Sequence, residues 1–382
     1  MAKARKQKSP KKPEAKPKAD PASEISRLRG EIDSVDSQVL ALLDRRAGLA
    51  TEIGEAKREL QARGAAKKFT FYDPEREQRI FERLSASLGS FPRTAVPFVF
   101  REIISACRSL EASMKIAFLG PQGTYSQMAA NLSFGSSVEY LDRPTISDVF
   151  EAVFRRQADY GVVPVENSAE GGVVQTADCL LKTELKIRSE LILKIDHYLV
   201  GKTRELGSVK RVYSHPAAIA QCRAWLAQNL PGVETIASTS TSAAARSTLT
   251  DPQSAAIASR LAAEVMGLEV LRERIQDQSD NATRFVTLAE TDGPVTGRDR
   301  TSLVVSLKDS RASLLKLLGQ FDDAGIEVTR VESRPSSQRS WRYFYFIDFL
   351  GHRDERRVAR VLSKASRLCE SIKVLGSYPR AS

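Results

Sequence analysis

The chain has few of the residues from which metal sites and disulfide frameworks are built. Its 382 residues include four cysteines and three histidines, and no two cysteines form a CxxC pair. A structural zinc site and a disulfide framework are therefore not expected. Long apolar runs are also missing, because no stretch approaches the ~18 consecutive apolar residues of a membrane span, and the first residues lack the apolar core of a secretory signal. We expect a cytosolic protein with no membrane contact, no metal and no other cofactor.

Positive charge is in excess, but more than half of the excess lies in one segment. The formal net charge is +11, and residues 1–21 carry eight basic side chains against two acidic ones, a net of +6. This segment has four prolines and no apolar periodicity, so a disordered basic tail is predicted over residues 1–22. It is either a tether for a polyanion or a solvating extension. The absence of aromatic residues for base stacking favours the extension, and no nucleic-acid partner is expected.

From Ile25 onward the pattern becomes that of a long amphipathic helix. Apolar residues follow in alternating steps of three and four as far as Leu60, and Arg46 interrupts this seam. At 100° per residue, Lys57 lies about 20° from Arg46 around the helix, whereas Arg29 lies about 100° away. Arg46 and Lys57 therefore share an inward face. Arg29 could reach the same site only from a second copy of the helix.

Two further predicted helices also carry charged residues on their core faces. Asp73 and Pro74 form the start signal of a helix that has Glu77 on its apolar stripe. A third helix carries Cys107 and then Glu111 at the next turn. A buried ion pair or a snorkelling helix end would account for one such residue. Two cations and two acids on three neighbouring helices favour a polar cavity inside a helical bundle.

Residues 25–111 resemble the all-helical class of chorismate mutases. The segments that carry the resemblance are LRGEIDSVDSQVLALLDRRAGLATEIGEAK, YDPERE and FREIISACRSLE. Such a site needs no nucleophile, because it holds a compact substrate conformer and stabilises charge on the ether oxygen. The resemblance implies these side chains: Arg46 and the partner subunit's Arg29 for the two carboxylates, Lys57 and Glu111 for the ether oxygen, Asp73, Arg76 and Glu77 for the ring hydroxyl side, and Cys107 where the family often has a hydroxyl.

Two features of this region bear on activity. Glu111 can donate a hydrogen bond to the ether oxygen only when its carboxyl group is protonated, so mutase activity is expected to fall at alkaline pH. Lys57 and Glu77 are 20 residues apart, which exceeds the family spacing by about two helical turns. Either the loop after the first helix is longer or the helix itself is.

Residues from Met114 to about Glu290 alternate β-rich runs with helical ones, which predicts a two-lobed α/β fold with sites at strand ends. Polar clusters follow several of the apolar runs. Each cluster alone is typical of a helix cap or a turn. Together the motifs GPQGTYSQMAA, YGVVPVENSAEGGV, VYSHPAAIAQC and DNATRF resemble prephenate dehydratase. The resemblance implies a fold like that of periplasmic binding proteins.

The same resemblance implies the residues of the dehydratase site. Thr283 would donate to the departing hydroxide, because a threonine hydroxyl does so without a charge that would trap a carboxylate. Arg284 is either a carboxylate anchor or a structural neighbour, and His215 is interpreted as a helix cap rather than an acid. The other implied cleft residues are Thr124, Ser126, Glu166, Asn167, Ser168, Ser214, Gln221 and Asn281.

After a linker at residues 291–299, the order strand, helix, strand, strand, helix and short strand predicts an α+β module of the ferredoxin-like sort over residues 300–380. Its ESRP segment resembles that of the ACT domain attached to prephenate dehydratases, which binds phenylalanine at a subunit interface. Arg311 and Ala312 stand where that family usually has proline and glycine, which leaves the strength of feedback open. The implied phenylalanine site contains Glu332, Ser333, Arg334, Pro335, Ala312 and Leu314.

The sequence is thus identified as a member of the bifunctional chorismate mutase and prephenate dehydratases. The expected partners are chorismate, prephenate, allosteric phenylalanine and at least one further copy of the chain. The mutase domain is predicted at residues 23–112 and the dehydratase domain at residues 114–290. Two alternatives stay open: a dehydratase whose helical domain is an inactive dimerisation piece, and a regulator that senses aromatic metabolites.

Overall fold

The computed structural model describes residues 20–63, 71–86, 89–308, 312–335 and 343–381. Most of the predicted tail over residues 1–22 lies outside the described residues, as does Arg311. In the part of the chain that the structure describes, no helix is long and apolar enough to cross a membrane.

Three helices form an N-terminal unit, called here the helical unit: α1 (Pro21–Ala62), α2 (Pro74–Ala86) and α3 (Val96–Glu111). The 42 residues of α1 span about 63 Å. The helix continues past Lys57 to Ala62 before the undescribed residues 64–70 begin. Gly54 lets α3 approach closely, because a Cβ at this position would lie 3.1 Å from the Cα of Glu111. This approach brings the α3 terminus beside Lys57.

The apolar seam of α1 is largely uncovered in a single chain. Ala50 and Gly54 are the buried residues of this helix. The predicted long helix is present, yet the following seam residues are each at least 41% exposed: Ile25, Leu28, Ile32, Val35, Val39, Leu42, Leu49, Ile53 and Leu60.

The middle of the chain forms an α/β unit of two lobes, each built on one sheet. The sheet of the first lobe has the order β2-β1-β3-β11-β5, with β4 paired to β3. Strands β1, β2 and β3 are parallel, and β11 returns from the second lobe to pair antiparallel with both β3 and β5. The elements are β1 (Lys115–Leu119), α4 (Tyr125–Phe134), β2 (Glu139–Arg143), α5 (Ile146–Phe154), β3 (Tyr160–Asn167), β4 (Gly171–Gly172), α6 (Val174–Lys182), β5 (Lys186–Lys194) and β11 (Ala282–Ala289).

The second lobe is inserted between β5 and β11, so the chain crosses between the lobes twice. Its sheet has the order β10-β6-β9-β7-β8. The elements are β6 (Tyr198–Gly201), β7 (Arg211–Ser214), α7 (Pro216–Gln221), α8 (Arg223–Asn229), β8 (Glu234–Ala237), α9 (Thr241–Ser247), β9 (Ser254–Ala258), α10 (Arg260–Met266) and β10 (Glu269–Arg272). The predicted two-lobed α/β architecture is therefore present.

A C-terminal unit follows, in the predicted element order. Its antiparallel sheet has the order β13-β14-β12-β15, and both helices pack on one apolar core with it. The last strand, expected to be short, has 11 residues and is the longest of this sheet. The elements are β12 (Asp299–Leu307), α11 (Ala312–Asp323), β13 (Val328–Pro335), β14 (Tyr343–Leu350), α12 (Arg356–Ala365) and β15 (Cys369–Pro379).

The helical unit is joined to the α/β unit by buried contacts at the start of α2. Glu75 and Arg188 of β5 form a two-point ion pair in which Arg188 Nη2 lies 2.8 Å from Glu75 Oε2. Beside it, the hydroxyl groups of Tyr72 and Ser189 are 3.1 Å apart. A buried ion pair is costly to break, because the remaining partner would be left as an uncompensated charge. The first turn of α2 is therefore held firmly against β5.

Candidate active sites

A cavity of about 400 Å³ lies between the three helices of the helical unit. Its wall contains both apolar side chains, such as Leu49, Ile53 and Ile80, and charged ones. Every mutase residue predicted to come from a single chain lines this cavity: Arg46, Lys57, Asp73, Arg76, Glu77, Cys107 and Glu111. The cavity can therefore hold a small anion that has both apolar and charged parts.

Two cations of α1, Arg46 and Lys57, line this cavity. Lys57 Nζ lies 2.9 Å from Glu111 Oε2 and 5.0 Å from the centre of the Phe71 ring. Arg46 is half-buried and donates from Nη1 to the carbonyl of Ile103 at 3.4 Å. The helical periodicity that placed Arg46 and Lys57 on one face is thus confirmed.

Two acids, Asp73 just before α2 and Glu77 in its first turn, also line the cavity. Glu77 is 8% exposed; burial raises its pKa, and the nearby positive charges of Arg108 and Arg101 oppose this rise. Burial also opposes the ionisation of Asp73, but hydrogen bonds from Glu75 and from the backbone of Arg76 bring its pKa below the usual value. The Arg76 N–H donates to Asp73 Oδ1 at 2.9 Å. Both acids are thus held by fixed partners at the helix start.

Arg29 and Arg108 differ in their relation to the predicted set. Arg29 is exposed on α1 and does not line the cavity of its own chain, as expected for a residue that would act in a second copy. Arg108 was not predicted, yet it is 3% exposed and lines the cavity. A signal for it existed, because Arg108 follows Ile104 by four residues and precedes Glu111 by three, which places it on the core face of α3.

A second cavity, of about 250 Å³, opens between the two lobes of the α/β unit. We call it the cleft. Six of the predicted dehydratase residues line it: Thr124, Ser126, Asn167, Gln221, Asn281 and Thr283.

A chain of neutral hydrogen bonds runs through the cleft. Asn167 Nδ2 donates to Thr283 Oγ1 at 2.8 Å and to Asn281 Oδ1 at 3.0 Å. Asn281 Nδ2 in turn donates to Gln221 Oε1 at 2.9 Å. Because the Thr283 oxygen accepts from Asn167, its own hydroxyl proton can be directed at a bound molecule. Thr283 is therefore oriented as a donor.

Two histidines border the cleft in different roles. His215 Nδ1 accepts from the backbone N–H of Ala217 at 3.3 Å, so the predicted helix-cap role is correct. His197 was missed by the sequence reasoning. Its Nε2 lies 2.8 Å from Gln221 Oε1 and its Nδ1 lies 2.9 Å from the hydroxyl of Tyr125. Burial lowers the pKa of His197, so a neutral imidazole supports Gln221.

Two residues predicted for the cleft lie on the other face of the sheet. Asn167 of β3 pairs with Thr283 of β11. Glu166, which precedes Asn167, pairs with Arg284, which follows Thr283. Because successive side chains of a strand point to opposite faces, Glu166 and Arg284 turn away from the cleft. The expectation that they line it is wrong, and for Arg284 the alternative of a structural neighbour fits.

Two predicted serines also lie outside the cleft lining. Ser214 is fully buried in the second lobe and donates to the carbonyl of Ile257 at 2.7 Å. Ser168 is exposed, accepts from the backbone N–H of Ala282 at 3.0 Å and donates to Asn281 Oδ1 at 3.4 Å. Ser168 thus supports a cleft residue without reaching the cavity.

Comparison with known proteins bears on both cavities. Residues 28–112 match the chorismate mutase type II family and residues 116–293 match the prephenate dehydratase family. The bifunctional chorismate mutase/prephenate dehydratase of Aquifex aeolicus is 43% identical over 363 residues, which cover 94% of this chain and 98% of the relative. The protein of that name from Pseudomonas aeruginosa is 40% identical over 360 residues, with the same coverage. The chain belongs to the bifunctional chorismate mutase/prephenate dehydratase family.

This family membership makes the chain an enzyme with a mutase domain and a dehydratase domain, so the alternative of a purely sensory regulator is not supported. Among solved structures, the prephenate dehydratase of Arthrobacter aurescens, determined in complex with L-Phe, is 37% identical with a TM-score of 0.65. It covers 70% of this chain, and 90% of its own length is covered. The structural similarity therefore extends beyond residues 116–293, which match the dehydratase family.

Arg284 links the dehydratase domain to the C-terminal unit. Its Nη2 lies 2.5 Å from Asp348 Oδ2, its Nη1 lies 3.3 Å from Glu190 Oε2 and its Nε lies 3.5 Å from Glu166 Oε2. Burial opposes its charge, but the neighbouring carboxylates of Asp348 and Glu190 raise the pKa of Arg284 above the usual value. A permanently charged Arg284 therefore ties β11 and β3 to β14.

The ESRP segment on β13 touches the dehydratase domain of the same chain. Arg334 Nη2 lies 3.1 Å from Asp178 Oδ1 on α6. Glu332 pairs with Arg330 and packs so closely on Gly172 of β4 that a Cβ there would overlap its carboxylate. Of the other predicted phenylalanine-site residues, Ser333 and Pro335 lie on the same strand, Leu314 is half-buried on the C-terminal core, and Ala312 is the first residue of α11.

Proposed function

We propose that the cavity of the helical unit rearranges chorismate to prephenate and that the cleft converts prephenate to phenylpyruvate. The units concerned are residues 23–112 and residues 114–290, followed by the linker at 291–299 and a regulatory unit at 300–380. The observation that carries the proposal is the convergence of Arg46, Lys57, Glu77 and Glu111, from all three helices, on one cavity. The cytosolic location stays a prediction.

In the mutase reaction the chain acts by positioning and by charge. Arg46 binds a carboxylate of the dianion, and Lys57 donates to the ether oxygen, on which negative charge develops as its bond breaks. In this structure Glu111 accepts from Lys57. Glu111 must take up a proton before it can donate to the same ether oxygen. Glu77, Asp73 and Arg76 hold the ring hydroxyl side, and Cys107 contributes to the wall.

Arg29 acts in the site of a second copy in this proposal. Four cations and three acids of one chain line the cavity: Arg46, Lys57, Arg76, Arg108, Asp73, Glu77 and Glu111. The partner's Arg29 would add a further cation for the second carboxylate of the dianion. The exposed seam of α1 supports this arrangement, because a second α1 would bury it. We therefore propose a homo-oligomer, with a dimer as its smallest form.

In the dehydratase reaction the bond to the leaving carboxylate breaks, its electron pair enters the ring, and the ring hydroxyl departs. Thr283 donates to the departing hydroxide, and Asn167 holds the Thr283 oxygen in place. Thr124 caps α4, and Ser126 is buried in the first turn of that helix. Because the Thr124 hydroxyl donates to the carbonyl of Leu119, the donors for the carboxylate that the product retains are the backbone N–H groups of this helix start and the Ser126 hydroxyl. Asn281 and Gln221 complete the chain of donors.

We also propose that phenylalanine binds at the ESRP segment with Ala312 and Leu314, at an interface between subunits, and lowers dehydratase activity. Two observations support this. A relative with a solved structure was determined in complex with L-Phe, and Glu332 and Arg334 contact the dehydratase domain beside β3. An effector must bind one conformation better than another, and we expect the contact of Glu332 and Arg334 with the dehydratase domain to be the part that differs.

One coupled assay tests the two activities. Purified chain is supplied with chorismate and then, separately, with prephenate, and phenylpyruvate is measured from each. Phenylpyruvate is expected from both. Product from prephenate alone would leave the helical unit as an inactive dimerisation piece, and no product from either would contradict the whole proposal. Phenylalanine added to the prephenate reaction is expected to inhibit it.

A further inference from the structure

Arg108 is a buried cation of the mutase cavity for which the proposed mechanism has no use. It lies on α3 next to Cys107 and is 3% exposed. Its side chain lines the same cavity as Arg46, Lys57 and Glu77. Charged groups are rarely buried to this degree without compensating partners, because removal from water is costly.

The guanidinium group of Arg108 has spare donors. Its Nη2 lies 2.9 Å from Glu77 Oε1, but neither Nη1 nor Nη2 makes a hydrogen bond of acceptable geometry in the structure. The guanidinium carbon also lies 5.4 Å from the centre of the Tyr72 ring. Buried donors without acceptors cost free energy, and a ligand that enters the cavity can supply the missing acceptor.

The pair formed by Arg108 and Glu77 selects for one kind of ligand group. A carboxylate accepts hydrogen bonds and a guanidinium donates them, whereas a hydroxyl does both. A second carboxylate placed here would be repelled by Glu77. A hydroxyl group can instead donate to Glu77 and accept from Arg108 at the same time.

We infer that Arg108 is a substrate-binding residue of the mutase site, which donates from its free Nη atoms to the ring hydroxyl of chorismate while Glu77 accepts the proton of that hydroxyl. The inference rests on the proposed mutase site and assigns to it a recognition element for the hydroxyl. It also gives Arg108 the task of keeping Glu77 ionised.

The second task predicts a pH effect. Five ionisable groups face Glu77: Arg46 from α1, Tyr72 and Asp73 just before α2, and Arg101 and Arg108 from α3. Burial raises the pKa of Glu77 and Arg108 is the largest opposing influence, so the loss of Arg108 raises it further. A carboxyl with a raised pKa is protonated below that pKa and accepts the hydroxyl proton only above it. The activity of Arg108→Met relative to wild type therefore increases with pH.

The test uses two substrates and two variants of the full chain. The substrates are chorismate and an analogue in which hydrogen replaces the ring hydroxyl. For Arg108→Met we expect kcat/KM on chorismate to fall about 30-fold, as for a lost charged hydrogen bond, and kcat/KM on the analogue to fall much less. Arg108→Lys keeps the charge and is expected to recover part of the loss. Dehydratase turnover of prephenate by the same chain reports that the variants are folded.

An equal loss on both substrates, with a pH profile parallel to that of the wild type, would overturn the inference and leave Arg108 as a structural ion-pair partner. If Arg108→Met does not fold, Arg108→Lys provides the test. Its ratio of kcat/KM on chorismate to kcat/KM on the analogue must still be smaller than that of the wild type. Glu77→Gln separates this inference from the proposed site. If Glu77→Gln also leaves discrimination unchanged, the ring hydroxyl is bound elsewhere and the site assignment itself fails.

Discussion

The cavity of the helical unit is lined by four cations and three acids, whereas the described lining of the cleft offers hydroxyl, amide and imidazole groups with Glu170 as its one acid. Both sites receive a cyclic dicarboxylate, since the product of the first is the substrate of the second. The contrast follows from what each transition state needs. Charge develops on an ether oxygen in the rearrangement, and fixed cations stabilise it.

The dehydratase reaction has the opposite requirement at one of its carboxylates. A cation bound to the leaving carboxylate would hold it as an anion and would oppose its release as carbon dioxide. Neutral donors such as Thr283 and Asn167 orient the substrate and assist the hydroxide without this penalty. We therefore expect that removal of a charged side chain from the helical cavity strongly lowers mutase activity. Removal of a neutral hydrogen-bond donor from the cleft is expected to lower dehydratase activity strongly.

The strongest test of the comparison removes the cation at the ether oxygen. Lys57→Ala is expected to lower mutase kcat/KM about 1000-fold, because a preorganised charge on the developing anion is lost. Steady-state rates with chorismate measure the effect. Lys115→Ala, at a half-exposed ion pair with Glu139, is the matched control and should leave both activities unchanged. A Lys57→Ala loss below about tenfold would contradict the assignment.

The corresponding deletion in the cleft is Thr283→Ala. We expect kcat for prephenate to fall about 100-fold, since the donor to the leaving hydroxide is gone. Thr283→Ser keeps the hydroxyl and is expected to retain most of the activity. Mutase rates of both variants should equal those of the wild type, because the two cavities share no residue. Equal activity of the alanine and serine variants would exclude Thr283 as the donor.

The comparison also concerns how many chains build each site. A hybrid dimer of one Arg29→Ala subunit and one Arg46→Ala subunit contains one intact mutase site, if Arg29 acts in the partner's cavity. Differently tagged subunits are co-expressed, and the purified hybrid is expected to have about half of the wild-type mutase activity, while each parent has almost none. A hybrid of Arg46→Ala and Lys57→Ala is the control, because both residues belong to one cavity and no site is restored.

The two sites also differ in how far the sequence predicted them. In the helical unit, angular spacing placed Arg46 and Lys57 correctly, because one rigid helix fixes both. In the cleft, the prediction assigned consecutive motif residues to one site. Successive side chains of a strand point to opposite faces, so Glu166 and Arg284 lie on the face away from the cleft. His197 was missed, because its contact with Gln221 joins separate segments of the chain, a link that no local pattern reveals.

A smaller effect is expected at Glu111, whose carboxylate accepts from Lys57 in this structure. Glu111→Gln places an N–H donor beside the ether oxygen, whereas Glu111→Ala leaves no hydrogen-bonding group there. We expect mutase kcat/KM of Glu111→Gln to be about tenfold above that of Glu111→Ala. The dehydratase rate of both variants is the control. Equal mutase rates of the two variants would remove the case for a donor at this position.

The smallest expected effect tests whether the cleft depends on its contact with the C-terminal unit. Asp348 accepts from Arg284, whose neighbour Thr283 is held by Asn167, so Asp348→Asn weakens the tie between β14 and β11. We expect a fall of a few fold in kcat for prephenate and weaker inhibition by phenylalanine, with mutase rates unchanged. Asp251→Asn breaks a similar arginine pair with Arg211, placed in the second lobe away from this interface, and should change neither quantity. If Asp348→Asn lowered the mutase rate by the same factor as the dehydratase rate, the pair would be a general support of the fold rather than a specific link to the cleft.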